Sequence, residues 1–159
     1  MNIVLSESQF NIENMYFMEP IVNTIIDNSM FIKILYSNKL VTLNGLFLNL
    51  NINITNNELY FKKIKYTYDI TNLHNKTILN KIYSIESNIL DKYMCSKPKT
   101  KKYSVYETMK TGVIKIFPNA PNIHNHSINH KNNNVFLLKI SGIWENETEY
   151  GLTYKLSTS

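Results

Sequence analysis

The stretch from Val135 to Ser157 limits the fold more than any other, because it alternates with period two on both sides of a short acidic break. Phe136, Leu138 and Ile140 fall on one face, with Lys139 and Ser141 on the other. After the break, Tyr150, Leu152, Tyr154 and Leu156 alternate against Gly151, Thr153 and Lys155. Such alternation of aliphatic and aromatic residues is the signature of a half-buried strand pair. Glu145-Asn146-Glu147-Thr148-Glu149 reads as the solvated turn between the two strands. The only tryptophan, Trp144, ends the first strand. There it either caps a β core or offers a flat ring on which a ligand stacks.

The same period recurs upstream. Within Val41 to Ile54, the residues Leu46, Leu48, Leu50, Ile52 and Ile54 share a face opposite Phe47, Asn49, Asn51 and Asn53. A slip of one residue would expose every aliphatic, so the register is fixed. Leu59 to Ile70 reads as one strand, with Ile64, Tyr66, Tyr68 and Ile70 in one row and Phe61, Lys63, Lys65 and Thr67 in the other. Met30–Tyr36 and Val113–Phe117 read as shorter strands. Residues 1–29 read as loop or edge strand, since Pro20 interrupts any helix.

Asn75 to Tyr93 is the one long helix, because Ile78, Ile82, Ile85, Ile89 and Tyr93 recur at three- and four-residue steps. Asn75 or Thr77 is its expected N-cap. Ser104 to Thr111 suits a short helix with Ser104 and Glu107 as a capping box and Gly112 at the stop. The expected architecture is a single domain over residues 1–159, mainly β with one inserted helix. An OB-like antiparallel barrel of five to six strands fits this order, with a β-sandwich as the alternative.

Composition narrows the partners. The formal net charge is +5 with a pI near 9.1, and every basic residue is lysine. A basic surface favours polyanions. Abundant lysine, asparagine and isoleucine also mark an AT-rich coding sequence, which weakens that inference. Lys97, Lys99, Lys101 and Lys102 form the densest basic run, either a solvated loop or an electrostatic arm for phosphates. Phe61 beside Lys63 and Lys65 combines a ring for bases with ammonium groups for phosphates.

Cys95 stands alone, so no internal disulfide is expected. His124, His126 and His130 lie close together, but no cysteine or carboxylate in that loop completes a metal site. No phosphate-cradling glycine loop or nucleophile elbow occurs. Neither enzymatic activity nor a cofactor is expected. Without a basic leader before an apolar run, and without a membrane-length apolar stretch, the chain is expected to be intracellular and off the membrane.

Residues 137–156, Leu-Leu-Lys-Ile-Ser-Gly-Ile-Trp-Glu-Asn-Glu-Thr-Glu-Tyr-Gly-Leu-Thr-Tyr-Lys-Leu, resemble the C-terminal hairpin of OB-fold single-stranded DNA-binding proteins. The likeness is to the podophage-type family and its relatives in large nucleocytoplasmic DNA viruses. Lys65–Ile70 followed by the helix from Asn75, and the segment 39–48, resemble the same proteins. The resemblance implies non-sequence-specific binding of single-stranded DNA in viral replication, recombination or repair. It also implies replication proteins as further partners, and the viral factory of the host cytoplasm or the nucleus as location. Stacking would fall to Tyr36, Phe61, Trp144 and Tyr154. Phosphates would meet Lys63, Lys65, Lys97, Lys99, Lys101, Lys102, Lys139 and Lys155. Podophage-type members end in an acidic tail with a terminal aromatic, whereas this sequence ends in Leu-Ser-Thr-Ser, a departure that puts tail-mediated recruitment, but not strand binding, in question. The alternative is a virion structural or assembly protein that acts through protein contacts, suggested by the neutral Asn49, Asn51 and Asn53 row and the absence of arginine.

Overall fold

The computed structural model describes residues 4–118 and 133–158. Within them the strands run β1 (Leu5–Ser6), β2 (Met15–Phe17), β3 (Ile21–Val22), β4 (Met30–Ser37), β5 (Thr42–Leu43), β6 (Leu46–Asn53), β7 (Asn56–Tyr60) and β8 (Lys63–Thr67). Beyond helix α1 (Leu73–Lys92) come β9 (Thr100–Lys102), helix α2 (Ser104–Met109), β10 (Val113–Ile116), β11 (Asn133–Glu145) and β12 (Glu149–Thr158). The chain is mainly β, as its alternating segments require.

Strand β11 is the spine of the nine-stranded sheet. One of its edges pairs with β12 from Phe136 to Glu145. Its other edge is shared: Asn133–Ile140 pair with β6, and Gly142–Glu145 pair with β4. At the fork the register against β12 shifts, from Ile140 opposite Tyr154 to Gly142 opposite Thr153, which leaves Ser141 as an extra residue. That bulge changes which side chains face inward. Before it the core receives Phe136, Leu138 and Ile140; after it, Ile143 and Glu145. Unbroken alternation would have sent Trp144 inward. Gly142 makes the fork possible, because a Cβ there would sit 2.4 Å from the Ile32 carbonyl oxygen and 2.5 Å from the Phe31 ring.

Strands β10, β8 and β7 form a separate antiparallel sheet that packs on the inner face of the large one. Tyr66 meets Phe136 edge to face across the interface, at 5.1 Å between centroids. Helix α1 fills the rest of that side with Ile78, Ile82, Ile85, Ile89 and Leu90. The large sheet contains parallel pairings, β1 with β6 and β12 with β9, and among the described residues no ring of strands closes. The antiparallel five- to six-stranded barrel is therefore replaced by two sheets and a helix, with the extra strands mostly short edge pieces from residues 1–29.

Two expected strands are divided. Residues 41–54 break at Asn44–Gly45 into β5 and β6. Residues 59–70 fold back at Phe61–Lys62 into a hairpin, leaving Ile70 exposed beyond it. The helix ends also differ from expectation. Asn72, not Asn75 or Thr77, caps α1 by accepting from the Asn75 N–H. Helix α2 has no side-chain cap of its own. The buried carboxylate of Glu86 on α1 instead accepts from the Val105 and Tyr106 N–H groups, at 3.0 and 2.9 Å.

Asn75 is itself buried and ties the two layers together. Its Oδ1 accepts from the Asn53 N–H at 2.9 Å, and its Nδ2 donates to the Asn53 and Asp69 carbonyls at 3.0 and 2.9 Å. These bonds fix the end of β6 and the exit from β8 against the start of α1. Asn75→Ala leaves a part-buried N–H and two carbonyls without their side-chain partner, so it should lower stability by about 1–3 kcal/mol. Asn80→Ala, on the exposed side of the same helix, should stay within about 0.5 kcal/mol. Urea midpoints at constant slope report the difference, and equal midpoints would show that Asn75 is not a structural tie.

Candidate nucleic-acid interface

The outward face of the small sheet interleaves rings with ammonium groups. In register across it, Glu58, Lys65 and Lys115 make one row, and Tyr60 and Lys63 start the next, which Phe117 continues just past β10. Lys63 Nζ lies 4.6 Å from the Phe117 ring centroid, and Lys115 Nζ lies 4.4 Å from that of Tyr60. Lys65 lies near Tyr60 too, and pairs with Glu58 at 3.1 Å. Among the described residues Glu58 is the one carboxylate in these two rows, against Lys63, Lys65 and Lys115.

The hairpin tip adds Phe61 and Lys62. Phe61 adopts φ +54, a left-handed conformation that costs a bulky residue roughly 1–2 kcal/mol. Burial does not offset that cost: the ring is 85 % exposed and meets Tyr60 in a T-shaped pair, at 4.8 Å and 87°. Phe117, at 62 % exposed, and the exposed Tyr60 complete the aromatic set. Strain at an exposed aromatic next to a lysine makes this tip a candidate contact site.

Lys139, Trp144 and Lys155 lie elsewhere, on the outward face of the large sheet. The bulge turns Trp144 to this side, opposite Phe31 on β4 and Gly151 on β12. Its ring rests on Gly151, where a Cβ would come within 3.0 Å of Cζ2, and it is half-buried. It lies over the outer surface of the sheet rather than in the core. Lys139 sits over the Phe47 ring at 5.3 Å, and Lys155 is exposed.

Tyr36 and Tyr154 do not offer their rings. Tyr36 is buried against Phe10, and its hydroxyl accepts from the Asn11 N–H at 3.1 Å. Tyr154 faces inward, half-buried, with its hydroxyl 2.7 Å from that of Thr108. The row-mates Leu152 and Leu156 set that orientation.

The densest basic run is largely consumed by internal pairs. Lys99 binds Glu145 at 2.7 Å and the Asn146 carbonyl at 2.6 Å. Lys101 pairs with Asp91, and Lys102 pairs with Glu149 at 3.0 Å. Lys97 is left exposed. Strand β9 also pairs in parallel with β12, so three of the four lysines belong to the fold rather than to a free arm.

Glu145, expected on a solvated turn, is buried by the bulge. Its second oxygen accepts from Tyr93 Oη at 2.6 Å. Burial pushes the Glu145 carboxyl up, but hydrogen bonds from Lys99 and Tyr93 outweigh it and hold the group below its ordinary value. Burial, then the Glu145 charge, push the Cys95 thiol up, so it stays protonated near neutral pH.

Tyr60, Lys62, Lys115 and Phe117 were not among the expected site residues. The hairpin tip carries no Asn-Gly or Asp-Gly, so its turn left no sequence signal. Lys115 and Phe117 were visible in principle, since they alternate with Ile114 and Ile116. The His124, His126 and His130 stretch lies outside the described residues, and among those described no helix is long and apolar enough to cross a membrane. No protein-family model, curated protein or solved structure matches this chain.

The Glu145–Lys99 pair gives a signed pH dependence. A carboxylate held below its unfolded value stabilises the fold above that value, and the contribution is lost as pH falls through the lowered folded-state value. Lys99→Met leaves a buried, unpaired carboxylate, which should cost on the order of 3 kcal/mol at pH 7. It also raises the Glu145 value, so the penalty should shrink on acidification. Chemical denaturation at pH 7 and pH 4 measures both; a penalty that does not change with pH would contradict the pair.

Proposed function

We propose that the protein binds single-stranded nucleic acid without sequence specificity, as a binding protein rather than an enzyme, through the outward face of the small sheet. The observation that carries this is the strained, exposed Phe61 next to Tyr60 and Lys62 at the hairpin tip, on a sheet whose outward face sets Lys63 over the Phe117 ring and Lys115 over the Tyr60 ring. Lysines meet phosphates, and a base stacked on an exposed ring is worth about 1–3 kcal/mol, whatever its identity. The likeness of residues 137–156 to OB-fold single-stranded DNA-binding proteins supports single-strand binding, though not its placement on the small sheet. It points to viral DNA replication, recombination or repair, with an OB-like arrangement drawn open into two sheets.

A specific observation favours a role in protein assembly as the second reading. Ile21, Val22 and Ile25 are exposed at 59 %, 73 % and 87 %, which is apolar surface of a kind that protein partners cover. Salt separates the two. A phosphate-driven complex weakens steeply with ionic strength, and an apolar one does not.

Phe61→Gly relieves the left-handed strain, so stability should hold or rise. Affinity for oligo-dT should nevertheless fall about tenfold, as expected for one lost stack. Replacing Lys62, Lys63 and Lys115 by glutamine should lower the salt slope by about two units, at roughly 0.7 per contact. Fluorescence anisotropy of labelled oligo-dT reads both quantities. Unchanged affinity in Phe61→Gly together with an unchanged slope in the triple variant would reject this face.

A further inference from the structure

The outward rows of β4, β6, β11 and β12 form a second surface with an unbalanced charge. Lys33, Lys139 and Lys155 stand on it, and none of them pairs with a carboxylate among the described residues. Glu149, the one carboxylate in these rows, sits at the start of β12 and is held by Lys102. Lys139 and Lys155 are direct register partners across β11 and β12. Like charges placed opposite each other weaken a strand pair. Among the described residues the sheet holds no counter-ion for this repulsion, which sits beside the Phe47 ring and the neutral Asn49. A polyanion would relieve it. The second surface also points away from the small-sheet face, because the inner rows of the two sheets meet at Tyr66 and Phe136.

We propose that this outer face of the large sheet is a second phosphate-binding surface, so that one molecule holds two single strands, or two segments of one strand, on opposite sides. This rests on the small-sheet face being a single-strand site. Lys33, Lys139 and Lys155 would take phosphates of the second segment. The protein would then bridge strands rather than only coat one.

The test uses the full chain and two oligo-dT strands of roughly twelve nucleotides, within the range one such surface covers. One is immobilised on beads and the other is fluorescent, at low salt. The protein should retain the fluorescent strand on the beads. Lys33→Gln/Lys139→Gln/Lys155→Gln, and separately Phe61→Gly/Lys62→Gln/Lys63→Gln/Lys115→Gln, should each bind a strand yet lower bridging at least tenfold. Thermal melting of both variants should match or exceed the parent, since the substituted groups are at the surface and their removal relieves the Phe61 strain in one and the Lys139–Lys155 repulsion in the other. Strand binding by the parent without bridging overturns the second surface and leaves the first intact. Bridging that survives in both variants also overturns it, since paired copies using other surfaces would then be responsible. Loss of all binding in the small-sheet variant alone shows one surface only. Loss of all binding in the large-sheet variant alone overturns the small-sheet assignment, and no binding by the parent overturns both.

Discussion

Everything in this molecule depends on β11 having two neighbours on one edge. A strand can pair with both β6 and β4 on the same side only if it bends where one partner gives way to the other. Ser141 supplies the extra residue, and Gly142 supplies the absent side chain against Phe31 and Ile32. The bend reverses the facing of every residue after it. Glu145 is thereby drawn inside, where Lys99 pairs with it and Tyr93 donates a hydrogen bond to it, and Trp144 is turned out onto Gly151. The loop after α1 and strand β9 are held at that end by the same ion pair. One register shift thus decides the core, the fate of the basic run and the character of the outer face.

Charge in this chain is informative only once its partners are known. Lys99, Lys101 and Lys102 look in sequence like the strongest polyanion signal, yet their ammonium groups are held by Glu145, Asp91 and Glu149. A lysine already paired at close range releases no counterion when a phosphate approaches unless its own pair breaks. Lys63 and Lys115, scattered in sequence, lie instead over rings and share two rows with a single carboxylate. Cation–π contact keeps an ammonium close to an aromatic without neutralising it. Aromatics and free charge are thereby presented together, which is what a single strand requires.

The strand pair 135–157, the alternation from Leu46 and the helix stripe of Ile78, Ile82, Ile85 and Ile89 were legible because their periodicities coincide with burial. The facing of Trp144 was not, since a bulge is a tertiary compromise with β4 and β6 that leaves no period of its own. The turn at Phe61–Lys62 was hidden for another reason. It uses a residue that pays for its left-handed backbone, so the sequence ran on as though it were a strand. Of the expected contacts, Phe61, Lys63 and Lys65 fall on one face, and Lys139, Trp144 and Lys155 on the opposite one. Tyr36 looked available because a hydroxyl-bearing core ring cannot be told from a surface ring without its neighbours, whereas the row-mates Leu152 and Leu156 already argued for Tyr154 in the core.

The central claim is that single-stranded nucleic acid stacks on the hairpin tip of the small sheet. Ultraviolet cross-linking to oligo-dT, followed by mass mapping of the modified peptides, tests it most directly. Cross-links at Tyr60, Phe61 and Phe117, lost in excess unlabelled oligonucleotide, are the expected result. Cross-links that avoid these three residues and fall instead in the Lys97 to Lys102 loop would contradict the account.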